Sequence, residues 1–409
     1  MSPSLMDKLR MMDTMQKSIP NPDASSLDTE GVSWSTDEPC ADDAAASDPF
    51  HLKKEAFPLS LLGDRRFATP VHLASIFGLS LPHDITEKDM IFLDTETTGL
   101  SGGAGTLAFQ IGLGYCEGGQ FIVEQFCMRD YHEEAAMLCE TAARLRRCKL
   151  LVSFNGRAFD VPLLRSRFLM VRQKEDAIPR FHADVLFPAR RLWKLRLQNC
   201  RLSHLEEALL GIRREDDLPG ALVPQTYFQY LKNRDFSPVE RIMRHNQQDI
   251  VSLAQLFFFL CREYACPEQV VHGADLLSLA KHYARTGQAS QSTKCYRLCA
   301  GKDTRPQAFH ALAVCEKKGG RADNAIRLYS AMLRRGEEPV MACEALAKLY
   351  EHQKKNLDCA LQYTRQALLL LSEPTLLPSP TVQEARIALQ CRYARLQRKQ
   401  RKKSETTNK

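Results

Sequence analysis

Apolar residues run unbroken over positions 90–93 and stop at Asp94, the pattern of a buried strand with an acid at its C-terminal end. Residues 108–115 and 121–126 are two further strand-like stretches. Glu117, Gly118 and Gly119 between them predict a hairpin. Residues 150–154 form another short apolar strand, closed by Asn155 and Gly156, and residues 159–171 then take up helical periodicity. Strands interspersed with helices imply a mixed α/β sheet flanked by helices. Capping chemistry predicts two later helix starts. Ser203 with Glu206 forms a Ser-x-x-Glu box that Gly211 can close, and Ser237, Pro238 and Glu240 supply a second box with proline in the first turn. The helix from Ser237 runs towards Tyr264 and carries His245 and Asp249.

After Pro267 the pattern changes to an internal repeat of about 34 residues, the period of helix-turn-helix solenoids. Ala280, Ala313 and Ala347 recur in register, as do Tyr296, Tyr329 and Tyr363. Gly287 and Gly320 mark the turn, which becomes Lys354 and Lys355 in the third copy. These features resemble tetratricopeptide repeats.

Composition changes this picture at three points. Residues 18–52 carry eight acids and no Lys or Arg, so the chain's net +7 combines −8 there with +15 elsewhere. That segment has little to bury and is expected to be disordered over residues 1–52, whereas the cationic remainder suits a polyanion such as nucleic acid. The longest apolar run, residues 256–261, is far short of the roughly 20 residues that span a bilayer, so no membrane helix is expected. The 14 cysteines are scattered without CxxC spacing or an export signal, which predicts reduced thiols packed in cores and a cytoplasmic protein.

The acids supply the candidate chemistry. Asp94 and Glu96 are two apart on an extended segment, so both side chains point to one face of the sheet. A hydrolase that cuts phosphodiesters with two metal ions needs several such carboxylates, and Mg²⁺ or Mn²⁺ prefer their oxygen donors. Thr97, Thr98 and Gly99 form a bend suited to a terminal nucleotide. Asp160 starts a helix directly after a strand and loop, and His245 and Asp249 lie four apart on one helical face. Asp184 is expected to hold a structural element. Arg190, Arg191, Lys194, Arg196 and Arg201, with Trp193 among them, form the densest basic run, a solvated face or a track for phosphates and bases.

The stretches FLDTETTGLSGGAGTLAFQIGLGY, LVSFNGRAFDVPLL, HADVLFPARRLWK, DLPGALVPQTY and HNQQD resemble the DEDD exonuclease superfamily, the DnaQ-like branch of the ribonuclease-H-like fold, and more closely its YprB-like family. The resemblance spans about residues 57–262. With the 34-residue period and the basic run at the end of the chain, it divides the sequence into an exonuclease domain over 53–265, helical repeats over 270–372, and a C-terminal helix with basic tail over 373–409. It also implies Asp94, Glu96, Asp160 and Asp249 as ligands of two Mg²⁺ or Mn²⁺ ions, with His245 orienting or deprotonating the attacking water. Asn155, five before Asp160, matches the proofreading version of the second motif. Histidine-type members place His five before the last Asp; here His245 stands four before Asp249, the spacing of tyrosine-type members. The expected activity is 3′-to-5′ hydrolysis of DNA or RNA, with Thr97, Thr98, Gly99, Asn155, Arg190 and Arg191 against the nucleic acid. The competing reading is an inactive nuclease fold that recruits processing partners through its repeats; retention of all four acids favours catalysis.

Overall fold

In the computed structural model, residues 49–99, 105–173, 177–214, 218–302, 306–372 and 380–407 are described. Six strands, β1 (His51–Pro58), β2 (Met90–Thr97), β3 (Ala108–Glu117), β4 (Gln120–Cys127), β5 (Leu150–Ser153) and β6 (Phe181–Asp184), form one mixed sheet in the order β1-β4-β3-β2-β5-β6. Strands β1 to β4 pair antiparallel, and β5 and β6 are parallel to β2. The expected hairpin joins β3 to β4 through Gly118 and Gly119, both at positive φ (58° and 81°), the backbone a tight two-residue loop needs. Strand β1 starts at His51, inside the segment expected to be disordered; residues 1–48 of that segment lie outside the described residues.

Alternation along the strands sorts the core into two layers. Phe92, Phe121, Val123 and Val152 face one side, where α1 (Pro70–Phe77) and α4 (Leu186–Leu197) pack. Ile91, Leu93, Phe109, Ile111 and Leu151 face the other, against α2 (Glu134–Leu145), α3 (Asp160–Met170) and α6 (Val223–Asn233). The 29-residue helix α7 (Ser237–Ala265) serves both: Val239, Ile242 and Met243 belong to the second layer, and its residues from Ile250 to Tyr264 to the first. The segment that passes from one layer to the other is His245–Asp249. Close approach of α7 to β3 depends on two glycines. A Cβ on Gly112 would lie 2.1 Å from Asn246 Oδ1, and one on Gly114 would lie 2.6 Å from Ile250. Four helical residues rise about 6 Å and two strand residues about 6.6 Å, so this pair of notches matches one turn of helix.

Neither expected capping box forms. Ser203 lies inside α5 (Leu202–Leu205), whose N-cap is Arg201, and Glu206 opens a π-helical turn (Glu206–Leu210) that Gly211 closes at φ 69°. The Ser237 hydroxyl donates back to Asp235 at 2.7 Å instead of capping α7.

Beyond Pro267 six helices follow as three hairpins: α8 (Gly273–Arg285) with α9 (Ala289–Lys302), α10 (Pro306–Lys318) with α11 (Ala322–Arg334), and α12 (Pro339–His352) with α13 (Leu357–Leu370). The recurring Ala280, Ala313 and Ala347 are fully buried. The turns hold Gly287, Gly320 and Lys355, all at positive φ, so the third copy keeps the left-handed turn without glycine. A last helix, α14 (Pro380–Thr407), docks through the buried Glu351, which accepts from Arg392, Arg395 and Lys399 at 2.7–2.8 Å. The basic run at the end of the chain is thus partly an anchor rather than a wholly exposed tail. No helix among the described residues is long and apolar enough to cross a membrane.

Candidate active site

The site forms at the C-terminal end of β2, where the sheet meets the layer-crossing segment of α7. Asp94 pairs with Gly112 and Glu96 with Gln110 in the β2–β3 ladder, so both acids stand on the face that α7 covers. Glu96, His245 and Asp249 bring ligand atoms within 4.8 Å of one another. His245 Nε2 is 3.5 Å from Asp249 and 3.9 Å from Glu96. Asp94 and Asp249 line the same cleft, and Asp94 feels the charges of Asp249, Glu96 and Asp160. Asp160 enters from the start of α3, where Thr95, alternating away from Asp94 and Glu96, donates to its Oδ1 at 2.6 Å. The loop before it is fitted closely: a Cβ on Gly156 would lie 2.5 Å from Ser153 Oγ and 3.0 Å from Asp160 Oδ2. The buried Asp184 accepts from the backbone N–H of Asn155, Arg157 and Leu186 at 2.8–3.1 Å, the structural role expected of it. Those bonds tie the loop bearing Asn155 to the start of α4.

Burial raises the Asp94 pKa well above the ordinary carboxylate range, and the three neighbouring carboxylates push it further. Burial likewise lifts Asp160 to about 6, and lifts Asp249 although His245 and Arg214 oppose the rise. The carboxylates raise one another's pKa by repulsion and supply oxygen donors, with one nitrogen from His245 among them, a set that could hold a divalent cation such as Mg²⁺ or Mn²⁺. An acid whose folded pKa is raised binds more protons folded than unfolded, so stability falls as pH rises from the unfolded value towards the folded one. Asp160 is therefore expected to subtract stability from the metal-free protein as pH rises from about 3.8 to about 6, against the buried His182 and His282, which are lowered to about 4 and act in the opposite sense, and a divalent ion should restore it. Melting curves of wild type and Asp160→Asn across that range, with and without Mn²⁺, isolate the contribution; a Tm difference between the two proteins that is independent of both pH and Mn²⁺ would contradict it.

Sequence reasoning missed Arg214. Its guanidinium donates to both oxygens of Glu206 at 2.7 and 2.6 Å, to Asp249 Oδ1, and lies 3.2 Å from His245 Nδ1. Arginine in an exposed-looking charged stretch carries no signal of this; the π turn that buries Glu206 is what brings it in. A guanidinium only donates, so when the His245 ring is neutral its Nδ1 is the acceptor and its proton sits on Nε2, towards Glu96 and Asp249. As held, the ring is a donor to the acid cluster. Arg214→Met leaves the fully buried Glu206 carboxylate without its counter-ion and is expected to cost about 3–5 kcal/mol, most of it recovered when Glu206→Leu is added. Urea denaturation of both variants tests this, and equal stability of Arg214→Met and wild type would refute it.

The other sequence candidates divide. Thr97 Oγ1 donates to Gly99 O at 2.7 Å and Thr98 Oγ1 accepts from Leu107 N at 2.9 Å, so both hydroxyls shape the bend itself. Asn155, Arg190, Lys194 and Arg201 line the cleft beside Asp94 and Asp249. Arg191 does not: it donates to Ile76 O at 3.0 Å and contacts His282, at the junction with α8. Trp193 is fully buried, which removes it as a base-stacking surface.

A family profile described as the RNase_H superfamily matches residues 91–261, from β2 through most of α7. A protein of Bacillus subtilis (strain 168), described as the uncharacterized protein YprB, is 30% identical over 330 residues, 78% of each chain. The chain belongs to the YprB-like family of ribonuclease-H-fold proteins. Among solved structures, the family B DNA polymerase from Pyrobaculum calidifontis aligns at TM-score 0.35 and 12% identity, over 48% of this chain and 29% of the polymerase. In this YprB-like chain the ribonuclease-H fold and the acid cluster together support a nuclease-type function.

Proposed function

We propose that the protein is a metal-dependent 3′-to-5′ exonuclease acting on DNA or RNA. The observation that carries this is the convergence of Asp94, Glu96, Asp249 and His245 at one strand end, with Asp160 alongside. Asp94, Glu96, Asp160 and Asp249 would hold two Mg²⁺ or Mn²⁺ ions, which when bound supply Lewis acidity and a hydroxide at neutral pH. A cleft of about 630 Å³ opens beside the acids and is walled by Arg190, Lys194 and Arg201, cations suited to the phosphates of an incoming 3′ end. The helices of residues 270–372 would recruit protein partners as tetratricopeptide-like repeats, distinct in sequence from the nuclease unit of 53–265. All described cysteines are free, in keeping with a reducing, cytoplasmic setting. The test is incubation of 5′-labelled single- and double-stranded DNA and RNA with Mg²⁺ or Mn²⁺. A ladder shortening from the 3′ end and abolished by chelation is expected; internal cuts or mononucleotides released from the 5′ end would exclude the reading.

In this mechanism His245 orients the attacking water between Glu96 and Asp249. His245→Ala is expected to keep metal binding while lowering single-turnover cleavage about 100-fold, the low end for such groups. His245→Tyr should recover part of the loss, because the four-residue spacing to Asp249 suits tyrosine. An alanine variant with wild-type single-turnover rate would remove His245 from the mechanism.

A further inference from the structure

Asp94, Gly112 and Gln125 stand side by side in one row across β2, β3 and β4. Gly112 leaves a notch in that row, and the side chain of Asn246 on α7 fills it. Asn246 is fully buried and Gln125 is 1% exposed. Gln125 Nε2 donates to Met243 O at 2.7 Å and to Asn246 Oδ1 at 2.9 Å, which consumes both amide hydrogens. Asn246 Oδ1 is therefore the acceptor, and its Nδ2 faces Asp94, donating to Oδ2 at 2.8 Å with the Asp94 carbonyl at 3.3 Å. A flipped Asn246 amide would set donor against donor at Gln125 and oxygen against oxygen at Asp94.

We propose that Asn246, oriented by Gln125 and admitted by Gly112, is a positioning residue that fixes the Asp94 carboxylate for metal binding. One oxygen is held before any ion arrives, and the other is left with its lone pairs free for the cation. Partners that orient a metal ligand in this way typically contribute about 10- to 100-fold in metal affinity. The role rests on the metal-dependent reading of the site but is separable from hydrolysis, because it is read out by metal binding alone.

The experiment is Mn²⁺ titration of the full chain without nucleic acid, followed by electron paramagnetic resonance, with melting curves as a control for folding. Asn246→Ala is expected to raise the Mn²⁺ Kd about 10- to 100-fold. Gly112→Ala should do the same, since its Cβ would sit 2.1 Å from Asn246 Oδ1 and displace the amide. Gly112→Ala added to Asn246→Ala should cause no further loss, because the atom it would strike is gone. Asn246→Asp, which keeps the shape and the bond from Gln125, should weaken binding at least as much, and it serves as the reading variant if the alanine protein does not fold. Wild-type Mn²⁺ affinity in Asn246→Asp, losses that multiply in the double variant, or a wild-type chain that binds no Mn²⁺ would each overturn the proposal. If Mn²⁺ binding depends on Asn246 while no nucleic acid is cut, the nuclease reading fails and this one stands.

Discussion

Asp94→Asn is expected to lower metal-dependent turnover by about 1,000-fold or more, equivalent to about 4 kcal/mol of transition-state stabilisation, with the fold intact. Asparagine removes one negative charge from the cluster, and its orientation makes the loss worse than the charge alone. Asn246 Nδ2 donates towards position 94, so the new amide would turn its carbonyl oxygen to Asn246 and present its NH₂ to the metal position. An NH₂ group cannot ligate a cation. The fold survives because Asp94 is already penalised by burial and by its acidic neighbours; a neutral isostere relieves that repulsion, so the metal-free melting temperature should hold or rise. Single-turnover cleavage across a Mg²⁺ titration, with circular dichroism alongside, checks both halves. Near-normal cleavage by Asp94→Asn would show that the metal site has been placed wrongly.

Ending the chain after Ala265 is expected to abolish cooperative folding of the nuclease unit. The division of the sequence into a unit over 53–265 and repeats over 270–372 would by itself suggest the opposite, that the two can be separated. In the structure one apolar cluster runs from Phe92 and Phe257 through Trp193 to Leu276, Leu279 and Tyr283, and on to Tyr296 and Leu312. Helix α8 packs on α4 and adds polar ties: Arg196 meets the buried Asp275 at 2.9 Å, and the Tyr283 hydroxyl donates to Tyr264 O. Removing α8 would open the part of this cluster that it covers, including the buried Tyr264, whose ring packs edge-on against His282 and Tyr283, and the side of α4 that meets α8. At about 1.5–3 kcal/mol for each large side chain, the loss is comparable with the whole stability of a domain, about 5–15 kcal/mol. Solubility and a urea unfolding curve of the truncated chain decide the matter. A cooperative transition near the full-length midpoint would show that the cluster is divisible at Ala265.

The sequence by itself determined what depends on local period. A two-residue alternation sets Asp94 and Glu96 on one face of β2, a four-residue interval sets His245 beside Asp249, and a repeat of about 34 residues sets three helical hairpins with their buried alanines. These relations hold within one element or one hairpin, so backbone geometry alone fixes them. Tertiary structure decided the contacts between distant elements that no motif carries. Asn246 reaches Asp94 across 152 residues, and Gln125 reaches Asn246 across 121. Arg214 pairs with Asp249 only because a π turn buries Glu206, a departure from helical period that residue spacing does not encode. Arg190 and Arg191 are adjacent and chemically identical, yet one faces the cleft and the other the junction with α8, because successive helical residues point about 100° apart and only the packing of α4 says which way is out.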